Sequence, residues 1–114
     1  MATRGEIMED MSVERMAELL RAMGHPVRVK VIETLAIRDT CFCEMQAALN
    51  LEQSALSQHL QVLRRMGLVS SKKAANQTMY RLTNLHLPAL LEAARLATEG
   101  GGQPSVSVSD SDPS

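Results

Sequence analysis

Tryptophan is absent from this 114-residue chain, and Phe42 and Tyr80 make up its 2% of aromatic residues. A core without large rings must be aliphatic, built from Leu, Val, Ile, Ala and Met. Cysteine occurs twice, at 41 and 43, which excludes a disulfide framework. No apolar run approaches the length of a membrane-spanning helix. The N-terminus lacks the basic-then-apolar order of a signal peptide, so the expected location is cytoplasmic, with reduced thiols. A glycine-rich phosphate loop, a Cys-x-x-Cys pair, a paired-acid site and a Ser/His/Asp arrangement are all missing. The chain is therefore not expected to be an enzyme.

What is present is an uneven distribution of charge. The formal net charge is only −1. Yet residues 52–81 carry Arg64, Arg65, Lys72, Lys73 and Arg81 against the single acid Glu52. Acids outnumber bases in the segments 1–24 and 82–114. A basic block of this kind is the footprint expected of a phosphate-binding face.

Hydrophobic spacing gives an order of elements. Ser12 reads as an N-cap, followed by Val13, Met16, Ala17, Leu20 and Met23 at helical intervals. Gly24 stops that helix and Pro26 opens a second, with Val27, Val31, Thr34 and Leu35 on one face and Val29, Ile32 and Ala36 widening it. Arg38-Asp39-Thr40 reads as a turn, and a short helix is expected over 44–49, with Phe42 and Met45 as its apolar positions. After a tight turn at Asn50-Leu51, a helix over 53–66 turns Leu56, Leu60 and Leu63 inward and Gly67 ends it. Two strand-like segments, 68–72 and 77–82, are joined by Lys73-Ala74-Ala75-Asn76. Pro88 opens a last helix striped by Leu87, Leu90, Leu91, Ala94 and Ala97.

This order is mainly α with a small β-hairpin, a winged helix–turn–helix. The expected organisation is a flexible arm over 1–11, a DNA-binding and dimerisation domain over 12–98, and a disordered tail over 99–114. A lone subunit of this size buries little surface. A homodimer through the first and last helices is expected, with Met16, Leu20, Leu87, Leu90, Leu91 and Ala94 at the interface.

Four segments resemble the ArsR/SmtB family of bacterial repressors. They are Gly24-His25-Pro26-Val27-Arg28; Cys41-Phe42-Cys43-Glu44-Met45; Ser54-Ala55-Leu56-Ser57-Gln58-His59-Leu60 with Met66-Gly67-Leu68-Val69; and Gln77-Thr78-Met79-Tyr80-Arg81-Leu82. The second resembles the Cys-Val-Cys-Asp-Leu box of the family's arsenic sensors. The resemblance implies a homodimer that represses its operon and releases operator DNA on sensing.

Within that frame Cys41 and Cys43 are the candidate metal ligands, with As(III) or Sb(III) as inducer, because soft thiolates select soft acceptors. Cys43, near a helix N-terminus, is expected to be biased towards thiolate. The arsenic sensors often carry a third cysteine where this chain has Gln46, which leaves Hg(II), an oxidant or persulfide as alternative signals. A dimeric interaction module without sensing is a third reading. Family sensors of Cd(II) and Pb(II) add thiolates from the N-terminal arm, which here holds methionines and no cysteine. The family's zinc site on the last helix maps to Asn84, His86, Ala97 and Gly100, too few ligands for closed coordination, so no zinc site is expected there. For double-stranded DNA, Gln53, Ser54, Ser57, Gln58 and His59 are candidates to reach base edges. Arg64, Arg65, Lys72, Lys73, Gln77 and Arg81 are candidates to position the backbone.

Overall fold

A computed structural model of the chain describes residues 4–99, with side-chain surroundings from residue 11 onward. In order the elements are α1 (Arg4–Met23), α2 (Pro26–Ile37), β1 (Thr40–Cys41), α3 (Phe42–Leu49), α4 (Gln53–Arg65), β2 (Val69–Ala74), β3 (Gln77–Leu82) and α5 (Leu87–Glu99). They fall into two compact units, Met1–Asn84 and Leu85–Ser114.

The first unit is a winged helix–turn–helix. Helices α3 and α4 are joined by a short turn in which Asn50 adopts a left-handed conformation, φ 55°. Asparagine tolerates that region better than most residues. The wing is the antiparallel β2–β3 hairpin, and β3 lies in the middle of a three-stranded sheet ordered β1-β3-β2.

The core is aliphatic, as the composition demands. Val31, Ile32 and Leu35 of α2 are buried, with Met45 of α3, Leu56, Leu60 and Leu63 of α4, and Leu68 and Val69 entering the wing. The two aromatic rings pair with each other, Phe42 and Tyr80 having centroids 6.4 Å apart. Helix α2 starts on a polar cap: His25 Nδ1 accepts from the Val27 N–H at 3.0 Å, and Pro26 fills the first position, where its missing N–H costs nothing. Helix α4 ends in a paired closure, Leu68 N–H to Leu63 O at 3.0 Å and Gly67 N–H to Arg64 O at 2.9 Å. Gly67 takes φ +73° to make it, a value that favours glycine.

Four expectations need correction. The first helix begins at Arg4, so it runs through most of the segment 1–11 expected to be a flexible arm, and Ser12 lies inside it. Glu, Met and Ile in that stretch are adequate helix formers, and an N-cap residue is not enough to start a helix where nothing breaks the preceding turn. Thr40 and Cys41 form a strand rather than ending a turn, and α3 starts at Phe42. The first wing strand runs on to Ala74 where it was expected to end at Lys72, so that only Ala75 and Asn76 connect it to β3, which spans Gln77–Leu82 as expected. Leu87 is only 1% exposed and belongs to the buried set, so it is not available to a partner chain. The tail expected over 99–114 lies outside the described residues beyond Glu99. Among the described residues no helix is long and apolar enough to cross a membrane.

The second unit is described by α5. Pro88 stands in its first turn, Leu90 and Leu91 are half-buried, and Ala94 and Leu96 are exposed.

Two backbone conformations give paired tests. Ala75 holds φ 58° at the wing tip, where an L side chain costs roughly 1 kcal/mol. Ala75→Gly should raise the thermal midpoint, and Gly67→Ala should lower stability by about 1 kcal/mol. Chemical denaturation of both variants checks the signs. Leu60→Ala, in the middle of the buried α4 stripe, should cost about 2–5 kcal/mol.

Candidate functional site

Cys41 does two structural jobs at once. As the second residue of β1 it pairs with Met79 of the wing, beside Thr40 paired with Tyr80. As the N-cap of α3 its Sγ accepts from the Glu44 N–H at 3.4 Å. Thr40 is buried, and its hydroxyl donates to Arg38 O at 2.9 Å, fixing the approach to the strand. The thiol pair is thus anchored to both the wing and the first helix of the helix–turn–helix.

The two sulfurs lie 3.3 Å apart. Cys41 is buried and Cys43 exposed. A hydrogen bond from the Cys43 thiol and a second from the Glu44 backbone hold Cys41 below the usual thiol range. The same thiol–thiol contact, with desolvation, pushes Cys43 above it. The thiolate is therefore favoured on Cys41, not on Cys43 as helix position alone suggested. The cap residue faces the open N–H groups of the first turn, whereas Cys43 sits inside that turn. Arg38 and Glu44 form an ion pair across the outside of the site, both exposed, so it adds little stability.

Gln46, at the third position of the cysteine box, is half-buried on α3. Among the described residues no three His, Cys, Asp or Glu side chains come together as a ligand group. Gly100, the last of the four positions considered for zinc, lies outside the described residues.

A cleft of about 360 Å³ opens beside Cys43. Gln53 and Ser57 of α4 form one side, and Asn76, Gln77, Thr78 and Tyr80 of the wing form the other. Phe42 and Cys43 complete its lining.

Helix α4 separates its faces cleanly. Gln53, Ser54, Ser57, Gln58, Arg64 and Arg65 are exposed opposite the leucine stripe. Gln53, Ser54, Ser57 and Gln58 also share one surface depression with Gln46 and Glu52. Lys72, Lys73 and Gln77 are exposed on the wing. Arg81 is exposed as well, with Asp39 4.0 Å from its Nε.

His59 is placed differently. Its ring is half-buried, 4.3 Å from the His25 ring, with Arg28 Nη1 3.5 Å from its Nδ1. Burial, then His25 and Arg28, hold its pKa below the usual imidazole range. The ring packs α4 onto the start of α2 and is not an open base-reading group. Helical spacing put His59 with Ser57 and Gln58. The contact with His25 is long-range and left no local signal. Thr78, Asn76 and Tyr80 were likewise not anticipated as neighbours of Cys43, because β1 is too short to be read from a sequence.

A sequence profile described as "Bacterial regulatory protein, arsR family" matches residues 25–71. The chain is similar to the HTH-type transcriptional repressor SmtB of Mycobacterium tuberculosis, with 37% identity over 70 residues, 61% of this chain and 52% of that protein. It thus spans about half the length of this relative. It is also similar to a biofilm growth-associated repressor of Agrobacterium fabrum, with 38% identity over 86 residues, 75% of this chain and 73% of that one. Among solved structures, reduced HlyU from Vibrio cholerae superposes with a TM-score of 0.70 at 33% identity, covering 79% of this chain and 93% of that one.

The coupling of the two thiols makes a direct test. Cys43→Ala removes the first hydrogen bond to the Cys41 sulfur, so the Cys41 pKa should rise towards the ordinary thiol value. Ultraviolet thiolate absorbance against pH reads this. A Cys41 titration unmoved by the substitution would mean that the 3.3 Å contact does not govern its ionisation.

Proposed function

The chain belongs to the arsR family of bacterial regulatory proteins, and from that premise we propose a homodimeric transcriptional repressor that releases operator DNA when Cys41 and Cys43 capture As(III) or Sb(III). The observation that carries the reading is the thiol pair, 3.3 Å apart at the junction of the wing and the helix–turn–helix. With bonds of about 2.3 Å, the length thiolates make to zinc, that separation corresponds to an S–M–S angle of roughly 90°. Such an angle suits a pyramidal trivalent ion. A linear two-sulfur ion such as Hg(II) needs the sulfurs roughly 4.6 Å apart at the same bond length.

Release follows from linkage: a ligand shifts the protein only by its differential affinity for the two states. Bonding the Cys41 sulfur to arsenic takes up the electron pair that accepts the Glu44 N–H, so the cap of α3 weakens without the sulfurs having to move together. The ligand also sits on the residue that pairs β1 with β3. Both the start of α3 and the wing then leave their DNA-competent positions. On DNA, exposed α4 residues led by Gln58 read bases in the major groove, and Lys72 and Lys73 meet phosphates from the wing.

The dimer reading draws on α1, whose Val13, Met16 and Leu20 form an apolar stripe exposed at 58%, 53% and 55%. Leu90, Leu91 and Ala94 supply a second face on α5. Leu20→Glu should give monomers by sedimentation, with much reduced operator affinity.

A redox reading of the same thiols has one specific support. An exposed Cys43 beside a Cys41 biased towards thiolate is suited to oxidants or persulfide, and a solved relative is described in a reduced form. One titration separates the two. Operator affinity of reduced wild-type protein should fall on adding arsenite, by a coupling of about 1–3 kcal/mol. Cys41→Ser and Cys43→Ser should bind DNA and ignore arsenite. Indifference of the wild type to arsenite, with release by peroxide or persulfide, would select the redox reading. DNA binding itself should weaken steeply with salt. Lys72→Ala with Lys73→Ala should flatten the slope, and Gln58→Ala should relax sequence preference at a cost of about 1–3 kcal/mol.

A further inference from the structure

We infer that the cleft between α4 and the wing binds a small polar thiol, whose sulfur supplies the third bond to an arsenic held by Cys41 and Cys43. The inference rests on the arsenic reading above and names what completes that site.

Trivalent arsenic takes three sulfurs, and the whole chain has two cysteines. At the third position of the box stands Gln46, whose amide oxygen is a hard, neutral donor and a poor partner for a soft ion. The remaining bond must therefore reach something from outside the chain. The geometry says from which side. Cys41 is buried, while Cys43 is exposed and lines the cleft.

The lining selects the ligand class. At about 360 Å³ the cleft falls at the lower end of small-molecule sites, which span about 300–1,000 Å³. Gln53, Ser57, Asn76, Gln77 and Thr78 offer amides and hydroxyls, and no charged side chain lines it. Phe42 and Tyr80 add ring surface next to the sulfur. Neutral hydrogen-bonding groups around a short apolar wall match a peptide-like thiol, with amides along its length and a methylene next to its sulfur. Hydroxide as third ligand would use none of these groups.

The exchange balances without an oxidant. Arsenic enters as As(OH)₃, three As–O bonds break and three As–S bonds form. Each thiol proton leaves with a hydroxide as water, and the oxidation state of arsenic is unchanged. The occupant then lies against Gln53, Ser57 and Gln77, three residues proposed to face DNA. Thiol and operator therefore compete for the same side chains, in addition to any distortion of α3.

The test uses the full chain with arsenite and glutathione as the probe thiol. Native mass spectrometry should show one arsenic and one glutathione per subunit. Arsenite affinity should rise roughly tenfold or more in millimolar glutathione. Thr78→Trp, which fills the cleft, should bind arsenite through both cysteines but retain no glutathione and show no enhancement. Thr78→Val, nearly equal in volume, should keep the three-component complex, and circular dichroism of both variants separates blocking from misfolding. Arsenic bound through both cysteines, with no glutathione retained and equal affinity with and without it, overturns the cleft inference alone. Glutathione still retained by a folded Thr78→Trp overturns its location, and glutathione carried without arsenic overturns its role. A wild type that binds no arsenic under either condition removes the arsenic reading and this inference together.

Discussion

The pairing of Thr40 and Cys41 with Met79 and Tyr80 is the contact on which the site depends. It is only two residues long, the shortest element in the fold. Through it the wing, the thiol pair and the start of α3 share one stretch of backbone. Without it Cys41 would still cap a helix, but that cap would no longer be part of the sheet, and side-chain packing such as Phe42 on Tyr80 would be left to join the two. In the proposed switch, chemistry at the sulfur reaches the wing because the cysteine is itself a strand residue. No relay of intervening side chains is required.

The aliphatic core serves the same arrangement. Leu56, Leu60 and Leu63 hold α4 by one stripe, flanked by half-buried Ala55, His59 and Val62, and leave Gln53, Ser54, Ser57, Gln58, Arg64 and Arg65 exposed. Four of the chain's five aromatic rings, counting histidines, lie at junctions. Phe42 packs with Tyr80 between α3 and the wing, and His25 packs with His59 between α2 and α4. Each joins the helix–turn–helix to a neighbouring element.

Most of the fold was legible because it follows from periodicity and breakers. The leucine spacing of α4, the stop at Gly67 and the polar face of that helix are local properties, and so is the Cys-x-Cys box. What escaped depends on sequence-distant partners. The β1 strand exists through β3, nearly forty residues later. The pKa order of the thiols is set by which sulfur caps the helix and which donates, a matter of rotamers. His59 was misplaced because its neighbours, His25 and Arg28, lie more than thirty residues away. The early start of α1 was missed for the opposite reason. A plausible local cap at Ser12 outweighed a weaker helical tendency before it, and the cap is not used.

The unequal exposure of the two cysteines divides labour in time. In the proposed sensing role an incoming thiophile meets Cys43 first, because that sulfur stands open to solvent. The second bond, to buried Cys41, forms only after the first has brought the ligand to its neighbour. First encounter then depends on the outer sulfur and completion of the site on the inner one. A brief encounter leaves the cap of α3 untouched, and only a ligand that stays long enough to reach the inner sulfur disturbs it. Such an order of events filters transient contacts from sustained exposure without any additional element of structure.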